Sequence, residues 1–409
     1  MYTGFTDEGV ITIIPEGQTI NSALEFEYFY DTRKDNRNKN TLQKLSTEAH
    51  ERMKLPKSNQ YFPEFQAFVD YYGDTDYGDK WVNAAHEKGV TTFSNDRGHA
   101  DFTVFQERMG TGEAMKKGIA YLHIWMQVVN HLSKAAELCG SPEAIAELDM
   151  AVALYTGSLT TDPEETSGIL LYGLADVRSH QFKTAGVVGD MDSGTAHVNV
   201  EIMRGFQGLQ GIFNAQKTSL CGAGVEQTKQ AIIDYMRIPL IQGTLRYTFI
   251  REFDMHEFNL DDSERTMAES ATFAATIIPF VQQCDASAAK TLHKHTRVHA
   301  THTDFASVKR ALESTYDCLH VSCELVGGIW DREAVDYRRG GEPCGHVIKK
   351  GKVAGFFKFV AVSATLLLAI LALVKYRRVL TRAVLSRGKR QEHPPATFNG
   401  NIAAVAEIS

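Results

Sequence analysis

Four carboxylates and three phenols fall within ten residues at positions 70–79: Asp70, Asp74, Asp76 and Asp79 with Tyr71, Tyr72 and Tyr77, and Gly73 and Gly78 to bend the backbone. Hard cations take oxygen ligands, and phenolate suits a ferric ion particularly well. The same residues would also make an acidic turn between two helices, with the tyrosines packed on a bundle. A second set runs from Tyr155-Thr156-Gly157-Ser158 to Asp176-Val177-Arg178-Ser179-His180. On a helix, Asp176 and His180 share a face at i,i+4 while Arg178 projects elsewhere. Tyr155, Asp176 and His180 would suit a ferric ion, and Arg97 or Arg178 could hold a small anion through two parallel N–H groups. The plainer reading is helix surface plus one buried tyrosine. The third set is His293, His295, His299 and His302. The last three, four and three residues apart, would share one helical face, a spacing compatible with metal ligation or with a response to pH near 6. No nucleophile elbow, P-loop, dinucleotide glycine fingerprint, HExxH or EF-hand loop occurs.

The elements that must position these residues read as helices. Met115, Ile119, Leu122, Met126 and Val129 recur at helical spacing, giving one apolar stripe from residue 113 to 139, closed by Gly140-Ser141-Pro142. Val198, Ile202, Phe206, Leu209 and Phe213 mark a second long helix over 195–220. Ser141 reads as an N-cap with Pro142 at the first helical position of a helix to 154. Further helices are expected over 63–72, 77–88, 165–180, 226–236, 245–258, 263–284, 286–302 and 304–329, and a strand only over 9–14. The fold class is mostly α. Two stretches, 72–139 and 155–221, repeat the order of a Tyr-Gly start, a helix, a Phe, a glycine loop and a long helix ending in Cys, which implies paired helical bundles with a cleft. The expected domains are an irregular segment 1–60, a first helical lobe 61–222 with the repeat, and a second helical lobe 223–345.

Beyond these lies an apolar run. Residues 359–374 carry no charge, Gly or Pro, and Lys358 alone interrupts the stretch back to 353. About 20 helical residues cross the hydrocarbon layer, so 353–375 reads as a transmembrane helix and 376–409 as a basic cytoplasmic tail. Seven basic residues follow the run and four precede it, which favours the tail inside. The start shows no signal-peptide core, so the natural N-terminus is expected to lie upstream. Of 43 Lys+Arg and 50 Asp+Glu, 11 basic and two acidic residues lie at 349–409, leaving 32 basic against 48 acidic before them. That acidic ectodomain argues against nucleic acid and suits cations. All six cysteines precede the apolar run, an even count that suggests disulfides in an exported domain.

The segments FQAFVDYYGDTDYGDKWVNAAHEKGVTTF, KKGIAYLHIWM and AVALYTGSL followed by LLYGLADVRSHQFKTAG together resemble the iron-assimilation protein family. That family includes the low-iron-inducible periplasmic proteins of green algae and the phytotransferrins of diatoms and other marine algae. The resemblance covers about residues 60–330, and the C-terminal helix resembles the phytotransferrin branch. It implies two related helical-bundle lobes of imelysin-like arrangement and capture of Fe(III) with carbonate or bicarbonate as synergistic anion, followed by internalisation. Carried onto this chain it implies Tyr72, Asp76, Tyr77, His99, Tyr155, Asp176 and His180 as metal ligands, and Arg97, Ser158 and Arg178 as anion-binding residues. Ser179 and Ala185 stand where the family motif has cysteines, so one local disulfide is expected to be absent. The implied partners are the plasma membrane and endocytic machinery or a ferric reductase. Two other classes remain: a membrane-anchored interaction or adhesion protein without metal, and a surface metallohydrolase, for which nothing in the sequence specifies a substrate.

Overall fold

In a computed structural model the described residues are 2–5, 10–13, 28–31, 49–157, 171–186, 194–257 and 259–344. The expected span 353–375, the tail 376–409 and Ser158 lie outside them. No helix among the described residues is long and apolar enough to cross a membrane. Met1–Gly345 is one compact unit, and His346–Ser409, a second unit, is outside the described residues.

The unit is mostly helical. Three short strands, β1 (Tyr2–Phe5), β2 (Val10–Ile13) and β3 (Tyr28–Asp31), form an antiparallel sheet in that order, with Ile11 paired to Tyr30. The sequence suggests an irregular segment over 1–60 with one strand; the β-branched and aromatic runs VITI and YFYD instead pair with each other. After a helical turn α1 (Ala49–Arg52) come α2 (Pro63–Tyr72), α3 (Tyr77–His86), α4 (Arg108–Gly118), α5 (Trp125–Glu137), α6 (Glu143–Thr156), α7 (Leu171–Phe182) and α8 (His197–Asn214). Then follow α9 (Ala223–Phe253), α10 (Leu260–Cys284), α11 (Ala286–Thr296), α12 (Phe305–Glu313) and α13 (Cys323–Val326), and a hairpin of β4 (Trp330–Asp331) and β5 (Asp336–Tyr337).

Several of these follow directly from sequence. In α2, Pro63 sits at the first helical position, Phe65, Phe68, Tyr71 and Tyr72 bury one face, and Gly73 ends the helix in the left-handed region at φ 79°. The long helix expected from 113 is broken in register rather than in path. α4 and α5 are joined by a π-turn at Ile119–Ile124, the kind of insertion that accumulates at functional sites.

Three expectations need correction. The two helices expected on either side of Pro239 are one helix, α9, 31 residues long with the proline inside. A proline removes one intrahelical bond; beside it, Trp125 Nε1 donates to the Met236 carbonyl at 3.2 Å. The helix expected over 286–302 stops at Thr296, where Arg297 turns to φ −53°, ψ 153°. His299 and His302 therefore do not continue a helical face with His295. The segment 304–329 is helical over Phe305–Glu313, breaks into turns and becomes helical again only in the short α13.

The two longest helices form the centre. α9 and α10 pack on each other; α10 also meets α2, α4 and α11, and α9 meets α5, α7, α8 and α12. Helices on both sides of residue 222 thus share one core.

Three disulfides close it: Cys139–Cys221, Cys284–Cys318 and Cys323–Cys344, spanning 82, 34 and 21 residues. Closing a loop removes unfolded-state entropy that grows slowly with its length. Removing the first bridge by Cys139→Ala with Cys221→Ala is therefore expected to lower unfolding free energy by about 4 kcal/mol, and removing Cys323–Cys344 by about 3 kcal/mol. Guanidinium denaturation of the two double variants checks the order; a larger loss for the shorter loop would contradict it.

Candidate functional site

The acidic-phenolic run 70–79 divides in the fold. Tyr72 and Tyr77 are core residues, stacked at 5.4 Å with planes 16° apart. The Tyr72 hydroxyl donates to the Ala275 carbonyl at 2.7 Å. Ala275 lies four residues before Pro279, which is inside α10 and has no N–H to give it. Tyr72 supplies the missing donor. Tyr77 is fully buried, with its hydroxyl 3.5 Å from the Leu122 carbonyl. Burial pushes both phenols well above the usual range, and at Tyr72 the neighbouring Tyr71 and Tyr77 raise it further. Asp76 precedes α3 and faces Lys80 at 3.8 Å.

What the run does build is a cleft beside Tyr71. The loop 91–101 folds back over the end of α2. Asn95 N donates to the Tyr72 carbonyl at 3.1 Å and its side-chain amide to the Asp70 carbonyl at 2.7 Å. Asp74 accepts from Ser94 N and from Ser94 Oγ, each at 2.8 Å, and pairs with Lys80 at 2.6 Å. Gly98, at φ 70°, is required here: a Cβ would stand 2.6 Å from Tyr72 and 2.8 Å from Tyr71.

This loop carries Asp96, Arg97 and His99. His99 Nδ1 is 2.7 Å from the Thr91 carbonyl, which can only accept, so Nδ1 holds the proton. In that tautomer the 3.4 Å approach of Phe93 N to the same nitrogen is no hydrogen bond. The Nε2 atom then faces Asp96 Oδ1 at 2.9 Å. A protonated Nδ1 held by a backbone carbonyl is the arrangement that fixes a histidine for ligation through Nε2. A small water-sized pocket behind is lined by Tyr71, Tyr72, Gly98, His99, His293 and Arg297, among others. His293 Nε2 donates to the His99 carbonyl at 3.2 Å, and burial lowers the basicity of its ring. Burial raises the Tyr71 phenol to about 12, with the Arg97 charge acting against it. Of the three phenols in the run, Tyr71 alone has a cation lowering the cost of ionisation.

The second sequence set forms a different group. Tyr155 donates to Asn199 Oδ1 at 2.5 Å, and Asn199 Nδ2 donates to Asp176 Oδ1 and to the Tyr172 carbonyl at 2.8 and 3.0 Å. Asp176 also accepts from Ala196 N at 2.8 Å, holding the start of α8. Burial raises the Asp176 carboxyl despite these bonds, and raises Tyr155 well above its usual range. Arg178 turns the other way, as the helix spacing requires. Its guanidinium lies 5.1 Å over Tyr247 and 5.7 Å over Phe273, with Nη2 3.3 Å from the Tyr247 hydroxyl. His180 lines a separate groove. Tyr155 and Asp176 bond to Asn199 and Ala196, whereas Tyr72 and His99 bond to Ala275, Thr91 and Asp96, so the ligand set drawn from the sequence is brought together only in part: Tyr72, Arg97 and His99 at one place, Tyr155 and Asp176 at another. Among the described residues, no three His, Cys, Asp or Glu side chains are grouped to hold a metal. Asp96 was not singled out by sequence, and Tyr71 and His293 were named only within the acidic-phenolic run and the histidine cluster; the run Asp96-Arg97-Gly98-His99 carried the available signal for the first.

Two outcomes follow. Tyr72→Phe leaves the Ala275 carbonyl without a donor and is expected to cost about 1–3 kcal/mol of stability, read by urea denaturation; an unchanged midpoint would refute the role given to Tyr72. Burial acts to raise Asp74, but its bonds to Lys80 and Ser94 outweigh it and hold the carboxyl below the usual range. A depressed folded-state value contributes stability above the unfolded value and loses it as pH falls through the folded one. Asp74→Asn should therefore be less stable than the parent chain at pH 7, with the gap closing below about pH 4; a gap of constant size down to pH 3 would contradict this.

Comparison with family models, with curated proteins and with solved structures finds no match for this chain.

Proposed function

We propose that the chain is a cell-surface ferric-iron-binding protein for iron uptake. It takes Fe(III) as cargo in the cleft of Tyr71, Asp96 and His99, with a carbonate held by Arg97. The observation that carries this reading is the His99 geometry: Nδ1–H is fixed on a backbone carbonyl, and Nε2 stands 2.9 Å from a carboxylate oxygen, beside a phenol. Ligand atoms about 2 Å from one metal in a cis arrangement stand about 3 Å apart, so Asp96 and His99 can share one ion. The ligand set thus moves from Tyr72 to its neighbour Tyr71, because the Tyr72 hydroxyl is committed to Ala275.

The remaining parts of the proposal rest on sequence. The apolar run 353–375 would anchor the ectodomain in the plasma membrane, and three disulfides support an oxidising exterior. Two related lobes of imelysin-like arrangement are the finer form of the helical fold. Iron would leave after internalisation, when acid protonates the carbonate. The resemblance to the iron-assimilation family supports the same cargo.

The test is ferric titration of the intact chain in detergent, with and without bicarbonate, followed by visible absorbance. A phenolate-to-iron charge-transfer band that requires bicarbonate is expected. Tyr71→Phe should abolish it, Arg97→Gln should remove the bicarbonate requirement, and Tyr155→Phe should leave it unchanged. A band that survives Tyr71→Phe and disappears in Tyr155→Phe would move the site to α6–α7. No band in the parent chain would end the phenolate reading.

A further inference from the structure

A groove of about 840 Å³, within the range of small-molecule sites, lies where α7, α9 and the β4–β5 hairpin meet. Its apolar wall is Phe249, Ile250, Ile329 and Trp330, and its polar lining includes His180, Gln181, Arg246, Arg332 and Arg338.

The charges here are unequally satisfied. Arg338 is paired: Nη2 is 2.7 Å from Asp254, Nη1 is 3.5 Å from Asp331, and the guanidinium lies 5.3 Å over Phe249. Arg246 makes no hydrogen bond or ion pair with any described residue. Burial first, and then the like charge of Arg178, depress it below the ordinary arginine range, with Tyr247, Glu269 and Asp254 acting against this. Arg246 is half-buried on the groove wall, where its guanidinium is free to take an anionic ligand. Two further groups on the same lining are orphaned: His180 Nδ1 and Gln181 Oε1 are buried and have no hydrogen-bond partner. Buried polar atoms are almost always satisfied, by protein, water or ligand.

We propose that this groove binds a small amphipathic hydroxycarboxylate: its carboxylate on Arg246, its hydroxyl on Gln181, and its apolar body against Phe249, Ile329 and Trp330. The planar guanidinium takes a carboxylate through two parallel bonds. Gln181 Oε1 accepts only, so it requires a donor such as a hydroxyl. The aromatic and aliphatic wall excludes water from the body of the ligand, which a bare inorganic anion would not exploit. The groove shares no residue with the iron cleft of Tyr71, Asp96, Arg97 and His99, and it holds His180, which the sequence resemblance had implied as a metal ligand.

The probe is 6-hydroxy-2-naphthoate, titrated into the intact chain after chelator treatment, with probe fluorescence as readout. Saturable binding is expected. 2-Naphthol, which keeps ring and hydroxyl but lacks the carboxylate, should bind at least tenfold more weakly. Arg246→Gln, checked for helical content by circular dichroism, should weaken the naphthoate at least tenfold and leave the ferric titration unchanged. The comparison of the two probes on the parent chain stands whether or not the variant folds. No saturable binding, equal binding of 2-naphthol, or an unchanged affinity in folded Arg246→Gln would each overturn the proposal. Inorganic phosphate competing as tightly as the naphthoate binds would overturn the amphipathic part.

Discussion

The fold hangs on the close approach of α9 and α10. At Gly243 a Cβ would fall 2.5 Å from the Phe273 ring, so only glycine lets the helices meet at this depth. Phe273 then stacks on Tyr121 at 4.8 Å and on Tyr247 at 5.6 Å, while Arg178 stands over its ring. Around this aromatic centre the protein buries charge. Glu113 and Glu269 are 6% and 2% exposed, and the half-buried Lys117 reaches Glu269 at 3.4 Å and Glu113 at 4.0 Å. Burial opposes the charged forms of Lys117 and Glu113, yet Tyr121 and Glu269, ahead of Tyr247 and Glu113, raise the Lys117 amine, and Lys117 with Lys116 and Arg265 lowers the Glu113 acid. Such pairs tolerate burial only as a set, because removing one partner strands the other. Gly243 therefore fixes more than a helix crossing: it sets the centre beside which α4 and α10 share their charges.

The same centre determines where the candidate site can be. Pro279 frees a carbonyl in α10, and Tyr72 is drawn to it. With Tyr72 turned inward, its neighbour Tyr71 is left packed edge-on at 4.9 Å, lining the pocket beside His99. The loop 91–101 closes over both because Gly98 permits contact and Asp74 holds Ser94. A structural repair inside one helix thus decides which of two adjacent phenols can face a ligand.

Local rules carried much of this fold in advance. The start and stop of α2 followed from Pro63 and Gly73, and the buried faces of α5 and α8 from their spacing. The failure at Pro239 has a plain physical origin: tertiary packing overrides a local breaker. Pro239 and Pro279 are tolerated within long helices because neighbouring side chains reach the carbonyls beside them. The histidines at 295, 299 and 302 have helical spacing, but the chain leaves the helix at Arg297. For the site, residue type was informative and partnership was not. Tyr72 and Tyr71 are indistinguishable as letters, and the carbonyl that separates their roles lies 203 positions away from Tyr72 in sequence. The Tyr155–Asp176 set was legible as a cluster. Its members are occupied in holding α8, a fact that depends on Asn199 arriving from another helix.

The three disulfides pair each cysteine with the next one along the chain: 139 with 221, 284 with 318, 323 with 344. No bridge encloses or crosses another. A chain delivered N-terminus first into an oxidising compartment then always presents the correct partner as the next thiol to emerge. Of the 15 connectivities open to six cysteines, simple order of arrival selects this one. Oxidation can keep pace with translocation, without an isomerase to undo wrong pairs.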